Sequence, residues 1–176
     1  RHPELILIHR DSQVIQTGSV VTEQYEVGNT QSVLTMTYTY LPCGAVRIKT
    51  NLKMGHDDPN IFRLGLQWTL PKNMEYISYY GRGPWENYPD RKHAALLGVY
   101  NQTVNEQYYP YVRPQETGTK TDVRWWKITN KDGHGYLITA PQPFMASALH
   151  YTIESLDDGD DKNEHQSHGS LVEEAD

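Results

Sequence analysis

Glu86 and Asp90 stand four residues apart in the run "YYGRGPWENYPDR", Tyr79 to Arg91. Two carboxylates that close could share acid/base work. Glycoside hydrolysis uses such a pair ~5–10 Å apart, with one pKa raised so that the acid can protonate a leaving oxygen. The neighbours argue against it. Arg82, Arg91 and Lys92 surround both acids, and nearby cations favour the ionised form. The expectation is therefore a lattice in which Arg82, Glu86, Asp90 and Arg91 cross-link the loop by charge-assisted hydrogen bonds, with Asn87 and Tyr88 as further organising or interface residues. Gly81 and Gly83 are expected to permit tight turns, and Pro84 and Pro89 to stiffen them. Trp85, and Trp125 further on, are the weaker candidates for stacking on a sugar face, a role that tryptophan fills less often than simple packing.

Other chemistries fail on spacing. Gly81-Arg-Gly83 begins like a dinucleotide fingerprint, but Pro84 follows and Glu86 occupies the place of the third glycine. The run "DDGDDKNEHQSHG" from Asp157 offers no register that sets glycine and a closing glutamate where a calcium loop needs them, so it reads as a solvated loop. His165 and His168 beside Glu164 have helical ligand spacing but lack a further ligand. No metal site is expected. Cys43, the only cysteine, excludes an internal disulfide and a thiolate cage, and between Pro42 and Gly44 it reads as inert. Asn101-Gln-Thr103 fits a glycosylation sequon, a pattern that chance produces often.

The elements that must position these residues are strands. Leu34, Met36, Tyr38 and Tyr40 alternate with threonines; Val46, Ile48, Thr50, Leu52 and Met54 alternate with Arg47, Lys49, Asn51 and Lys53; Leu64, Leu66, Trp68 and Leu70 alternate with Arg63, Gly65, Gln67 and Thr69. Period two with one polar face marks antiparallel strands packed on one side. Further strands are expected at Glu4–His9, Gln13–Thr17, Val20–Val27, Tyr76–Tyr79, Ala94–Val104, Val123–Asn130, Tyr136–Ala140 and Ser147–Glu154. Turn chemistry separates them at Pro42-Cys-Gly44, His56-Asp-Asp-Pro59, Asn130-Lys-Asp-Gly133 and Pro141-Gln-Pro143. Ten or eleven strands without helices predict an all-β fold, a large antiparallel β-sandwich over residues 1–156, followed by an acidic loop over 157–176.

Composition sets the outer limits. The 176 residues allow one domain, or one domain plus an incomplete piece of a second, and 13 Tyr and 4 Trp supply core area to a chain that is 37% apolar. Mean hydropathy is −0.72, and no apolar run approaches the ~20 residues of a membrane span, so no membrane partner is expected. The opening "RHPELILIHR" lacks an initiator Met and reads as cut from a longer protein. Glu154–Asp176 carries a balance of −8 within a net charge of −6. That acidity, without a basic stripe, argues against nucleic acid.

Taken together, "YYGRGPWENYPDR", "QYYPYVRPQETGTKTDVRWW" and "ITNKDGHGYLI" resemble the C-terminal, small-chain domain of bacterial β-galactosidases of glycoside hydrolase family 2. The family pattern G-[RL]-G-P-x-E-N-Y-x-D-R falls on Gly81–Arg91, and the P-Y-x-x-P-x-E-x-G part of the following Y-x-x-P-Y-x-x-P-x-E-x-G falls within Tyr108–Gly118, with Arg124-Trp125-Trp126 matching the strand that follows. The resemblance implies the supersandwich of galactose-mutarotase-like domains, truncated here at its C-terminal end. It implies a parent that hydrolyses terminal β-D-galactosides such as lactose with retention. The catalytic glutamates and the assisting magnesium would belong to a separate barrel domain, so no catalytic residue and no cofactor is expected in this chain. The implied partners are that barrel, the galactoside substrate of the whole enzyme and other copies in a homo-oligomer, in a cytoplasmic or periplasmic compartment. The family's "SWG"-type aromatic segment is expected beyond Asp176.

Two other readings stay open. A stand-alone carbohydrate-binding module would use Trp85, Tyr88 and Trp125 as stacking platforms. A mutarotase-like epimerase would need an acid/base pair, for which His93 and His150 on expected strands are the candidates.

Overall fold

The computed structural model describes residues 3–28, 30–55, 61, 63–111 and 116–156. They fall into two compact units, one running up to Leu66 and one beginning at Gln67. The first is a meander of four antiparallel strands in the order β1-β2-β3-β4: β1 Leu5–Ile15, β2 Gly18–Val27, β3 Val33–Tyr40 and β4 Val46–Lys53. Leu34 is paired with Tyr25 on one side and Leu52 on the other, so period-two alternation in three strands converges on one face.

The second unit is a four-stranded antiparallel sheet in the order β6-β5-β7-β8, with β5 Tyr76–Gly83, β6 Leu96–Thr103, β7 Lys120–Thr129 and β8 Gly135–Ala146. A short helix, α1 Ile153–Leu156, follows. Ile77, Tyr79, Val104, Val123, Trp126 and Ile128 form its buried core, with Leu70, Met74, Tyr100, Ile138 and Phe144 packed against them. Tyr79 is fully buried, stacked on Trp126 at 5.1 Å between ring centroids and tilted against Tyr100 at 5.5 Å. Each such pair adds ~0.5–1.5 kcal/mol beyond its buried area. The protein is thus all-β, with the two antiparallel sheets that a β-sandwich requires.

Several expectations are corrected. Glu4–His9 and Gln13–Thr17 are one continuous strand with a bulge between Leu7 and His9. Residues 63–70 are not a strand despite their alternation; a ladder needs a hydrogen-bonded neighbour as well as a two-faced sequence, and none is formed there. Ser147–Glu154 is likewise no strand, and the described residues carry eight strands rather than ten or eleven. Pro141-Gln-Pro143 is not a turn. It lies inside β8, an edge strand, in a stretch where registered pairing jumps from Thr139 to Phe144, so neither proline removes a ladder bond. The Asn130–Gly133 turn forms as expected, with Gly133 N–H donating to Asn130 O at 3.1 Å. His56–Pro59 and residues 157–176 lie outside the described residues.

The two glycines of the opening run do a different job from the expected one. Gly81 and Gly83 are extended residues of β5, not turn formers. A Cβ on Gly81 would lie 3.0 Å from Val123 Cγ2, and one on Gly83 would strike the Tyr79 hydroxyl and meet the Tyr100 ring at 3.0 Å. Because Tyr79 is locked between two rings, it cannot swing away. Gly83→Ala is expected to cost roughly 1–3 kcal/mol by overpacking. Gly65→Ala, with open space around it, should stay within ~0.5 kcal/mol. Urea unfolding of both variants distinguishes the close-approach role from a turn role.

Candidate functional site

β5 delivers the chain to Gly83, whose bond to Pro84 is cis, and the loop 84–91 then crosses to the start of β7. Gly and Pro leave this segment without a backbone ladder of its own, so side chains must supply partners. Asn87, 1% exposed, does most of this. Its Nδ2 donates to Arg82 O and Trp85 O, both at 3.0 Å; its Oδ1 accepts from Thr121 N–H at 3.1 Å and from the Thr121 hydroxyl; its own N–H donates to Thr119 O at 2.8 Å.

Glu86 is the second stitch. Its side chain is 6% exposed. Oε2 accepts from Thr117 Oγ1 and from Gly118 N–H, both at 2.9 Å, and Oε1 accepts from Arg91 at 2.7 Å. Gly118 has φ +76, and a Cβ there would press on Gln107 O at 2.7 Å, so only glycine presents that N–H in this way. Arg91 also donates to the Tyr111 hydroxyl at 2.7 Å, and its guanidinium lies 4.8 Å from the Tyr88 ring centroid. Burial pushes the Tyr88 hydroxyl pKa up.

A separate ionic knot sits beside the first. Arg82 Nε donates to Asp122 Oδ2 at 2.6 Å, and Arg82 also donates to Ala95 O at 2.8 Å. Lys92 Nζ reaches the same carboxylate at 3.1 Å. The Arg82 hydrogen bond, aided by Lys92, holds the Asp122 carboxyl below the usual carboxylate range. Asp122 has a left-handed backbone, φ 52, which a short polar side chain tolerates better than most. Under the loop lies Lys120, 1% exposed, with Nζ 3.3 Å from Gly118 O. Burial lowers its pKa to about 8, against the opposing pull of the Glu86 charge.

The structure thus brings together Arg82, Glu86, Asn87, Tyr88 and Arg91, in two knots rather than one lattice. Asp90 is exposed and joins no ion pair among the described residues; Arg82 takes its acid from β7, not from the loop. Trp85 is 75% exposed. Trp125 is away from the loop, half-buried on β7 and paired with Tyr80. The two histidines are not on strands: His93 is exposed in the 3₁₀ turn Lys92–Ala94, and His150 Nε2 lies 3.1 Å from Glu75 Oε2 after the end of β8. A proton-transfer pair must leave room for substrate between its members, and His150 and Glu75 instead close on each other.

Asp122, Lys120 and the Thr117–Gly118 receptor for Glu86 were not singled out in the sequence. Gly118 was the one available signal, a glycine closing the "PQETG" run just ahead of a strand. A lysine within "TGTKTD" reads as solvated, and nothing local reveals that it is buried.

The chain matches the beta galactosidase small chain family over residues 4–174 and belongs to that family. It is 37% identical over 138 residues to the beta-galactosidase of Priestia megaterium, covering 78% of this chain and 13% of that protein. It is 41% identical over 105 residues to beta-galactosidase BgaC of Bifidobacterium adolescentis, covering 58% and 10%, and 32% identical over 127 residues to the beta-galactosidase of Lactobacillus delbrueckii subsp. bulgaricus, covering 72% and 12%. The chain therefore spans between 10% and 13% of the length of these relatives.

All four tryptophans fall in the second unit, so fluorescence-detected unfolding reports on it. Glu86→Ala strands the Gly118 N–H and takes the carboxylate from Arg91, and is expected to cost ~2–3 kcal/mol, whereas Asp90→Ala should stay within ~0.5 kcal/mol. Lys120 gives a pH signature. Below pH 8 both folded and unfolded chains carry the proton, and the full burial penalty applies; from about 8 towards the ordinary 10.5 the folded chain sheds it first, so stability rises with pH. Lys120→Met should flatten that rise. The comparison belongs at ~7.5 to ~9.5, below the range where buried tyrosines begin to favour the unfolded chain.

Proposed function

We propose that this chain is a non-catalytic β-sandwich piece of a β-galactosidase, a parent enzyme that hydrolyses terminal β-D-galactosides with retention in a separate barrel domain. In this reading the piece supports and borders the parent's active site, and the acid, the nucleophile and the assisting magnesium all act in the barrel. The observation that carries it is the state of Glu86. The one buried acid of the recognisable loop spends both oxygens on Arg91, Thr117 and Gly118, so Glu86 is not free to protonate or attack a glycosidic bond. Asp122 is committed to Arg82 and Lys92 in the same way.

Trp85 and Asp90 support the bordering role. Both are exposed on a loop that is otherwise tied down, and neither stabilises the loop from within. A rigid frame that holds an indole and a carboxylate outward suits contact with the parent's barrel or with another subunit of a homo-oligomer.

The purified chain is expected to leave a chromogenic β-galactoside uncleaved, and titration with lactose should produce no saturable change in tryptophan fluorescence. Turnover above a buffer blank, surviving a second purification, would overturn the non-catalytic reading; saturable lactose binding would instead favour a stand-alone sugar-binding module.

A further inference from the structure

The face of the second sheet that turns away from Tyr79 and Trp126 has a composition of its own. Along β5 the odd residues 77–83 are buried and the even ones are not, so Ser78, Tyr80 and Arg82 share this second face. Cross-strand register sets Val99, Tyr80, Trp125 and Thr139 in one row across all four strands. Asn101, Ser78, Lys127 and Leu137 form the next row. At the ~4.8 Å spacing of strands, Tyr80 and Trp125 stand side by side over about the width of a pyranose ring.

A register shift adds a cation to the row. Val123 and Trp126, three residues apart, both enter the core, because pairing is irregular between Val123 and Trp125. Arg124 is thereby released to the second face, where its guanidinium lies 5.2 Å from the Tyr80 ring centroid. It donates to a backbone carbonyl, that of Asp122, and not to a carboxylate. Lys127 is exposed and makes no ion pair among the described residues. Arg82 and Lys92 are answered by Asp122, but Arg124 and Lys127 face no acid from either row. The patch is aromatic at its centre, edged by Thr139 and Asn101 and by the exposed Val99 and Leu137, and carries two positive charges that no acid answers among the described residues.

We propose that this face binds an anionic saccharide, a sugar bearing a carboxylate, with its ring on Trp125 and its acid between Arg124 and Lys127. Charge complementarity selects the acidic sugar over a neutral one. The flat indole beside hydrogen-bonding Ser78 and Thr139 selects a pyranose over a plain acidic peptide. The site owes nothing to the galactosidase reading, and its success or failure leaves that reading where it stands.

Isothermal titration of the purified chain with trigalacturonic acid tests it, with lactose and a tri-glutamate peptide as the competing probes. Trigalacturonic acid is expected to bind, more weakly as salt is added, and about tenfold or more tighter than either control. Trp125→Ala and Lys127→Glu should each weaken it about tenfold or more, while Trp85→Ala leaves it unchanged. Lys127 is exposed, so its variant keeps the test open if Trp125→Ala fails to fold. Equal affinity for tri-glutamate or lactose, undiminished binding by Lys127→Glu, or no heat with trigalacturonic acid up to ~10 mM would each overturn the proposal.

Discussion

A loop rich in glycine and proline has to find its hydrogen-bond partners elsewhere, and this necessity organises the second unit. Leaving one buried polar group without a partner costs ~1–3 kcal/mol. The segment after β5 meets the demand with two neighbouring side chains, Glu86 and Asn87, both aimed at Thr117–Thr121. Asn87 uses both amide hydrogens and its carbonyl oxygen, joining the end of β5 to the start of β7 through one residue. Once that join is made, Arg91 has a fixed carboxylate to meet and a fixed Tyr88 ring to cover.

β5 serves two constituencies through its alternation. Its odd residues feed the core, where Tyr79 lies between Trp126 and Tyr100 so tightly that position 83 carries no side chain, and Val123 fills the space beside position 81. Its even residues feed the ionic knot and the outer aromatic row, through Arg82 and Tyr80. The same strand therefore transmits the packing of the core to the placement of the loop, because Arg82 O is one of the acceptors that Asn87 needs. Overpacking at position 83 would push on both.

Alternation in the sequence was enough to place β3 and β4, whose two faces differ in nearly every residue, and resemblance was enough to place the family. Two kinds of feature were not legible. Residues 63–70 and 147–154 alternate or carry strand formers, but whether an extended segment joins a ladder depends on a neighbour that local pattern does not encode. The ionic partners were the other kind. Proximity in sequence offered Asp90 to the arginines of the loop, while the acid that Arg82 meets, Asp122, comes from forty residues away. Lys120 is the extreme case: its burial follows from the loop folding over it, and nothing in "TGTKTD" distinguishes it from a solvated lysine.

A lowered lysine pKa beneath a carboxylate is often taken as the mark of a catalytic centre, since perturbed groups gather where chemistry occurs. Here the geometry argues for architecture. Desolvation is the larger influence on Lys120, its ammonium touches a backbone carbonyl, and Glu86, the charge that opposes the shift, is itself saturated with hydrogen bonds. A buried cation that partly compensates a buried anion lowers the cost of closing the loop over both. The motif that makes the family recognisable is then a record of packing and hydrogen-bond satisfaction. That explains how a stretch so specific in sequence can occur in a piece of protein whose proposed task is to hold its exposed side chains, Trp85 foremost, in place for a neighbour.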